Sequence, residues 1–368
     1  MSRYLLFPFL LPGLLLGLLP GLLPGLLLAL LLHPMPAAAE DAFTVNHGVA
    51  QGAGGAPLAL SLVLPAGRNQ PAAGWPALLL IQGSGPTDRD GNQPPYLRTD
   101  LLRQIAEYLA SQGIATLRYD KRGMHANNAT LPDNPAEFDS FFRWENFVGD
   151  AASAFRFLAE HPGIDGKRSG ILGHSEGGVI ALAASSLLRA TGAEPAVLVL
   201  AATPGRPLEA VVTEQLERVL AEQKATPAQT RAVMAANKRV SAAILAEGKV
   251  PADTPRSLAA LYPSYAGPFL QALLPLDPTR LAREYRGPVL LLQGEADNQV
   301  SPGRDLDAMA KALAARPKPE QHTALRFAGL SHNFKRPANT EDPGLAGPLP
   351  QDLLGALHDW LRQRLGTD

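Results

Sequence analysis

Apolar positions along the chain follow two spacings, and the two spacings alternate. Continuously apolar runs such as 75–81 and 115–119 have the length and composition of buried strands. Between such runs lie longer stretches, such as 99–112 and 142–161, in which apolar residues recur every three or four positions, as on one face of a helix. This alternation predicts an α/β fold with a doubly wound, mainly parallel sheet.

Further strand-like runs lie at both ends of this pattern. The runs 44–49 and 58–64 are separated by a glycine-rich turn and predict an opening antiparallel pair. Later apolar runs predict parallel strands at 169–172, 196–201, 288–292 and 324–327.

The pattern changes between 204 and 285. Two long, charged segments with helical spacing, 208–223 and 228–247, lie there, and this stretch of the sequence has no β-rich runs. We therefore expect one α/β domain, residues 40–368, with a helical cap inserted at about 204–285.

The first 39 residues differ from the rest. Arg3 precedes a stretch, 4–32, built almost wholly of Leu, Pro, Gly, Phe and Ala, and three alanines stand before Glu40. This pattern predicts a signal peptide over 1–39. A membrane anchor is the alternative, which the prolines make less favourable. Either way we expect an exported protein, periplasmic or secreted, or anchored with its domain outside the cytoplasm.

Composition excludes several classes of function. The chain has no cysteine, which rules out disulfides, a cysteine nucleophile and thiolate metal sites. Its 33 basic and 34 acidic residues give a net charge of -1. Such a balance indicates no nucleic-acid partner and no membrane contact apart from the leader. The oligomeric state stays open.

The most specific motif is Gly-His-Ser-Glu-Gly at 173–177, which follows an apolar run and precedes a helix-like stretch. This is the pattern of a nucleophile elbow, in which a serine stands on a sharp strand-to-helix turn. Ser175 is therefore the candidate nucleophile. The backbone N–H of Glu176 and one from Gly83 or Ser84, after the apolar run 75–81, would form an oxyanion hole.

Two later residues supply partners for the serine in the chain order Ser, Asp, His. Asp297 follows the run 288–292 and is the candidate acid, with Glu295 as its rival. His332 lies on the loop after the last predicted strand and is the candidate base. A serine hydroxyl is a weak nucleophile near neutral pH, so a histidine must remove its proton and an acid must orient that histidine.

These motifs resemble the α/β-hydrolase superfamily, and more narrowly its carboxylesterase and serine-aminopeptidase-like branch. The resemblance extends from about Phe43 to the C-terminus, and Gln82 stands where many relatives place a histidine. It implies the α/β-hydrolase fold, and it favours Asp297 because the acid of such proteins comes a few residues after the strand glycine. The motifs that carry it are residues 83–91, 118–123, 173–177, 294–297 and 329–332.

Three further groups of residues have weaker interpretations. Tyr262, Tyr265 and Phe269 are candidates for an acyl pocket, although aromatic residues of a small helical unit more often form its own core. The loop 88–92 is acidic but too short for a calcium loop, so we expect a structural role beside the oxyanion glycines. The charged residues 120–122 either orient the elbow by ion pairing or form a solvated turn.

The sequence thus predicts an exported serine hydrolase that cleaves small-molecule carboxylic esters through an acyl-enzyme, with no metal and no cofactor. An aminopeptidase or amidase with the same three residues is one alternative. A non-catalytic binding protein on a hydrolase scaffold is the other. Acyl and alcohol preference stay open, because a fold does not select a substrate.

Overall fold

Eight strands form one sheet in the computed structural model, which describes residues 42–339, 342 and 344–366. The strands are β1 (Phe43–Gln51), β2 (Pro57–Pro65), β3 (Trp75–Ile81), β4 (Ala115–Tyr119), β5 (Ile164–His174), β6 (Leu198–Ala201), β7 (Val289–Gly294) and β8 (His322–Phe327). Their order across the sheet is β1-β2-β4-β3-β5-β6-β7-β8. β2 pairs antiparallel with β1 and β4, and every other neighbouring pair is parallel. The predicted mainly parallel sheet is confirmed.

Helices connect the strands. The α-helices are α1 (Leu101–Ser111), α2 (Phe138–Phe141), α3 (Trp144–Ala159), α4 (Glu176–Arg189), α5 (Leu208–Glu222), α6 (Pro227–Glu247), α7 (Gly267–Leu273), α8 (Pro278–Glu284), α9 (Asp307–Ala314) and α10 (Gln351–Leu365). Short 3-10 helices lie at Ala53–Gly55, His125–Thr130, Pro135–Glu137, Ser264–Ala266 and Pro319–Gln321, and a π turn at Pro302–Leu306 precedes α9.

The core lies on both faces of the sheet, as a doubly wound fold requires. Leu79 and Ile81 of β3 belong to a cluster with α3 and α4, whereas Leu78 and Leu80 belong to a second cluster with α1 and α10. Successive residues of a strand point to opposite faces, so a strand covered on both sides is apolar at every position. This is why the continuous runs in the sequence predicted β3 and β4 at their observed bounds.

Other boundaries differ from the prediction for local reasons. The apolar run 169–172 is only the centre of β5, because Ile164 pairs with Trp75 and an irregularity separates that pair from the rest of the ladder. The helices α2, α8 and α9 have between four and eight residues, which is too short for a periodic pattern to indicate them.

The segment between β6 and β7 is helical in the structure, from α5 to α8. Val240, Ile244, Leu258 and Leu270 form part of a separate apolar cluster there, which we call the cap core. The end of α7 and α8 instead pack into the core of the sheet, through Leu273 and Leu281.

An aromatic seam joins this helical segment to the body of the molecule. The ring of Phe142 lies 4.8 Å from that of Tyr265. The ring of Phe269 lies 5.7 Å from Trp144 and 5.1 Å from Phe147. The seam therefore fixes α7 against the start of α3.

The predicted leader, residues 1–39, lies outside the described residues. Within the described ranges, no helix combines the length and the apolar composition needed to cross a bilayer.

A buried ion pair holds the end of β4 against α3. The guanidinium of Arg122 donates to both carboxylate oxygens of Asp150, at 2.8 and 2.6 Å, and to the carbonyl of Ala53 at 3.0 Å. The side chains of Arg122 and Asp150 are 3% and 1% exposed. Burial raises the pKa of Asp150 even though Arg122 opposes that shift.

We expect Arg122→Met to destabilise the protein by about 3–5 kcal/mol, because it leaves the buried carboxylate of Asp150 without its counter-ion. Urea unfolding at pH 7.5 measures the change. The matched control is Arg239→Met, which breaks an exposed pair with Asp253 and should cost no more than about 1 kcal/mol. Equal losses in the two variants would contradict the importance of the buried pair.

Candidate active site

Ser175 stands on a strained turn between β5 and α4. Its φ of 56° and ψ of -125° lie where residues other than glycine are rarely found. The turn is held in place because the N–H of Ser175 donates to the carbonyl of Ala201, at the end of β6, at 2.8 Å. Such strain at a partly exposed serine is typical of a functional site, and it agrees with the predicted elbow.

The flanking glycines are required by close approach of backbone atoms. A Cβ on Gly173 would lie 2.2 Å from the carbonyl oxygen of Gly177, and one on Gly177 would lie 2.3 Å from that of Ile81. A Cβ on Gly83 would lie 3.2 Å from the Cβ of Ser175. The structure therefore places Gly83, a predicted oxyanion residue, directly beside the predicted nucleophile.

Asp297 and His332 are hydrogen-bonded to each other. Nδ1 of His332 lies 2.8 Å from Oδ2 of Asp297, and both side chains are buried. The rival acid Glu295 is exposed on the loop after β7. Of the two carboxylates that the sequence offered, the structure thus brings only Asp297 to the histidine.

Asp297 has a full set of partners. Its Oδ1 accepts from the backbone N–H of Gln299 and Val300 at 2.8 and 2.9 Å, and its Oδ2 also accepts from the Gln293 amide at 2.7 Å. Burial by itself would raise the pKa of Asp297, but the adjacent His332 and these backbone donors outweigh burial and hold that pKa below its ordinary value. The carboxylate is therefore ionised and fixed in orientation.

His174, the residue before the serine, connects the elbow to the histidine loop. Its Nε2–H donates to the backbone carbonyl of His332 at 2.9 Å, and the two rings lie 4.8 Å apart. Burial, together with the neighbouring His332, lowers the pKa of His174 to about 3, so its ring is neutral. In the described part of the chain, no hydrogen bond joins the hydroxyl of Ser175 to Nε2 of His332; such bonds often tighten only in a substrate complex.

The loop that carries Gly83 and Ser84 lies against a buried cation, Lys121. The sequence left two interpretations open for it, ion pairing with the elbow and a solvated turn. Nζ of Lys121 donates to the carbonyls of Gly83 and Gly85 at 2.7 and 3.3 Å, and to Oε1 of Glu176 at 3.1 Å. The alternative of a solvated turn is wrong for Lys121, because its side chain is 4% exposed.

The three aromatic residues predicted for an acyl pocket occupy two different places. Tyr262 is buried in the cap core, and its hydroxyl donates to Asn237 at 2.7 Å. Tyr265 and Phe269 belong to the aromatic seam. The structure thus brings Tyr265 and Phe269 to the junction of cap and body, but it keeps Tyr262 inside the cap.

The acidic loop 88–92 is bonded within the protein. Oδ1 of Asp88 accepts from the backbone N–H of Asp90 and Asn92, and Asp90 pairs with Arg118. Over the ranges that the structure describes, no group of three or more acidic or histidine side chains is arranged to hold a metal ion.

Comparison with known proteins identifies the family of the chain. The family described as serine aminopeptidase, S33, matches residues 99–335 of the chain. The chain belongs to this family. Its sheet has the α/β-hydrolase fold that the sequence motifs predicted.

Beyond this family match, the chain is similar to Esterase EstD of Thermotoga maritima. The two are 28% identical over 260 residues, which is 70% of this chain and 54% of that protein. The chain thus spans about half the length of this curated relative.

Solved structures share the fold of the chain. A puromycin-hydrolyzing peptidase of Mycobacterium tuberculosis has a TM-score of 0.55 at 21% identity, covering 88% of this chain and 40% of that one. An esterase of Pyrococcus furiosus has a TM-score of 0.54 at 13% identity, covering 88% and 92%. An acetyl xylan esterase of Paenibacillus sp. R4 has a TM-score of 0.52 at 18% identity, covering 91% and 87%.

The neutral, buried His174 makes a testable contribution to the stability of the protein. Unfolded chains bind a proton at this residue below a pKa of about 6.5, whereas the folded protein binds it only near pH 3. Stability is therefore lost as the pH falls from about 6.5 towards 3. At pH 5.5, about one unit below the unfolded pKa, the loss is about 1.4 kcal/mol.

We expect His174→Gln to remove this part of the pH dependence, since its amide nitrogen takes the place of Nε2 and can still donate to the His332 carbonyl but does not titrate. The measurement is urea unfolding of both proteins at pH 7.5 and pH 5.5. The wild type should lose more stability between the two pH values than the variant does. An equal loss in both would show that His174 is not kept neutral by the fold.

Proposed function

We propose that the protein is an exported carboxylic-ester hydrolase that forms an acyl-enzyme on Ser175. The observation that carries the proposal is the buried pair between Asp297 and His332, whose loop is hydrogen-bonded to the residue preceding Ser175. The ester specificity is supported by the similarity to Esterase EstD. The leader composition supports export.

Catalysis would start with attack of the Ser175 oxygen on the ester carbonyl, while Nε2 of His332 takes the hydroxyl proton. Asp297 keeps the proton of His332 on Nδ1, so that Nε2 is free to act as the base, and its charge stabilises the imidazolium. The imidazolium then protonates the departing alcohol. Water, activated by the same nitrogen, attacks the acyl-enzyme, releases the carboxylic acid and restores Ser175.

The developing oxyanion needs donors that are not already used. Within the described ranges, no protein acceptor is bonded to the backbone N–H of Ser84 or of Glu176. Glu176 is the first residue of α4, and the N-terminus of a helix carries a partial positive charge. These two amides are therefore available to a substrate oxygen next to Ser175.

An aminopeptidase remains the second candidate, because the family is described by that activity. Such an enzyme needs a carboxylate to bind the free amine of its substrate. Two carboxylates near the start of the cap already have partners: Glu209 accepts from Ser241, and Glu214 pairs with Arg206 and Arg304. These pairings favour the ester over the aminoacyl amide.

The deciding measurement is hydrolysis of a p-nitrophenyl ester series of increasing acyl length, with Ser175→Ala beside the wild type. We expect wild-type turnover, and a loss on the order of 10³-fold or more in the variant with an unchanged urea midpoint. The chain-length profile measures the acyl pocket. Turnover of aminoacyl p-nitroanilides but of no ester would replace the esterase proposal with the peptidase one. Turnover of neither would favour a binding protein.

Asp297→Asn tests the role of the acid separately from that of the nucleophile. We expect kcat to fall on the order of 10⁴-fold, because an amide that donates to Nδ1 holds the wrong tautomer of His332. The matched control is Glu295→Gln on the same loop, where the carboxylate is exposed and kcat should be unchanged. A larger loss in Glu295→Gln than in Asp297→Asn would move the acid to Glu295.

A further inference from the structure

We infer that Lys121 is a positioning residue for the oxyanion hole, and that it sets the direction of both amide donors. The inference rests on the proposed acyl transfer at Ser175. It concerns a side chain that would touch neither the substrate nor the nucleophile, and whose effect reaches the reaction through the peptide groups that it binds.

The ammonium of Lys121 is buried and donates all of its hydrogen bonds within the protein. It follows β4, is 4% exposed, and has three acceptors for its three protons: the carbonyls of Gly83 and Gly85 and the carboxylate of Glu176. A buried ammonium is unfavourable unless it is paired. The pairing therefore constrains the oxyanion loop and the first residue of α4 at the same time.

The bond to Gly83 determines where the next amide points. The peptide between Gly83 and Ser84 is trans, since the one cis bond of the described chain is Pro94-Pro95. In a trans peptide the C=O and the N–H point in opposite directions. Because the Gly83 carbonyl faces Lys121, the N–H of Ser84 faces away from it, and Gly83 itself lies against Ser175.

The second donor is held through a side chain. Glu176 carries the amide that follows the nucleophile, and its carboxylate is bonded to Lys121 at 3.1 Å. One ammonium thus holds the two peptide groups that must converge on a single oxygen. A cation on the Gly83 carbonyl also polarises that peptide, which makes the N–H of Ser84 a stronger donor.

The chain offers a close control for a purely structural role. Arg122, the next residue, is also a buried cation with a carboxylate partner, but its partner is Asp150 on α3. Arg122→Met therefore breaks a comparable pair without changing the contacts of Gly83 or Glu176. A loss of stability alone should lower the reaction rates of the Lys121 and Arg122 variants alike. A loss of oxyanion geometry should lower the rates of the Lys121 variants only.

The experiment uses Lys121→Met, Lys121→Gln and Arg122→Met in the full chain, at a temperature where urea unfolding shows each to be folded. Two rates are measured: turnover of a p-nitrophenyl ester, and release of p-nitrophenol when p-nitrophenyl ethyl phosphonate modifies Ser175. In the second reaction the serine oxygen bonds to phosphorus while His332 takes the hydroxyl proton. The bond between phosphorus and the aryl oxygen breaks, p-nitrophenolate leaves, and the P=O oxygen occupies the oxyanion hole.

We expect both Lys121 variants to lower kcat by about 10²-fold or more with KM changed by less than about threefold, as for loss of an oxyanion donor. The phosphonylation rate should fall by a similar factor. Arg122→Met should keep both rates within about twofold. The variant Lys121→Met/Glu176→Gln should stay as slow as Lys121→Met. Removing the unpaired charge of Glu176 does not restore the hydrogen bond to the Gly83 carbonyl.

Equal rates in Lys121→Gln and wild type would overturn the inference and leave Lys121 a structural ion pair. Full recovery in the double variant would overturn it as well, since the defect would then be the unpaired charge of Glu176. If the wild type cleaves no ester but phosphonylation of Ser175 still depends on Lys121, the esterase proposal fails and the positioning role stands.

Discussion

The structure depends on charged side chains that are buried where β4 ends. Their partners lie on three other segments, so that one strand end holds the loop after β3, the elbow helix and α3 together. A buried charge without a partner is too costly to be tolerated, which makes these contacts specific. The pairs are Arg118 with Asp90, Asp120 with Arg89, Lys121 with Glu176, and Arg122 with Asp150.

This arrangement is possible because parallel strands end at the same edge of the sheet. The turn that carries Ser175 follows β5, Gly83 follows β3, and Lys121 follows β4, so residues far apart in sequence meet there. Asp297 and His332 follow β7 and β8 at the same edge. The sheet thus supplies the rigid frame, while the loops supply the side chains with chemistry.

Much of this organisation could be predicted from the sequence. β3 and β4 are apolar at every position because both faces are covered, and Ser175, Asp297 and His332 follow strands in a known order. The contacts that orient these residues could not be predicted. His174 bonds to the carbonyl of a residue 158 positions away, and Lys121 bonds to carbonyls 36 and 38 positions away. No local pattern encodes contacts between residues so far apart in sequence, because these contacts depend on which strands become neighbours.

The two imidazoles beside the elbow show how surroundings give identical side chains different roles. Their rings lie 4.8 Å apart, so a charge on one opposes a charge on the other. His174 is buried and donates its N–H to a backbone carbonyl, and its pKa falls to about 3. His332 instead has the ionised carboxylate of Asp297 on Nδ1. Asp297 therefore orients the ring of His332, while the neutral ring of His174 holds the loop that carries it.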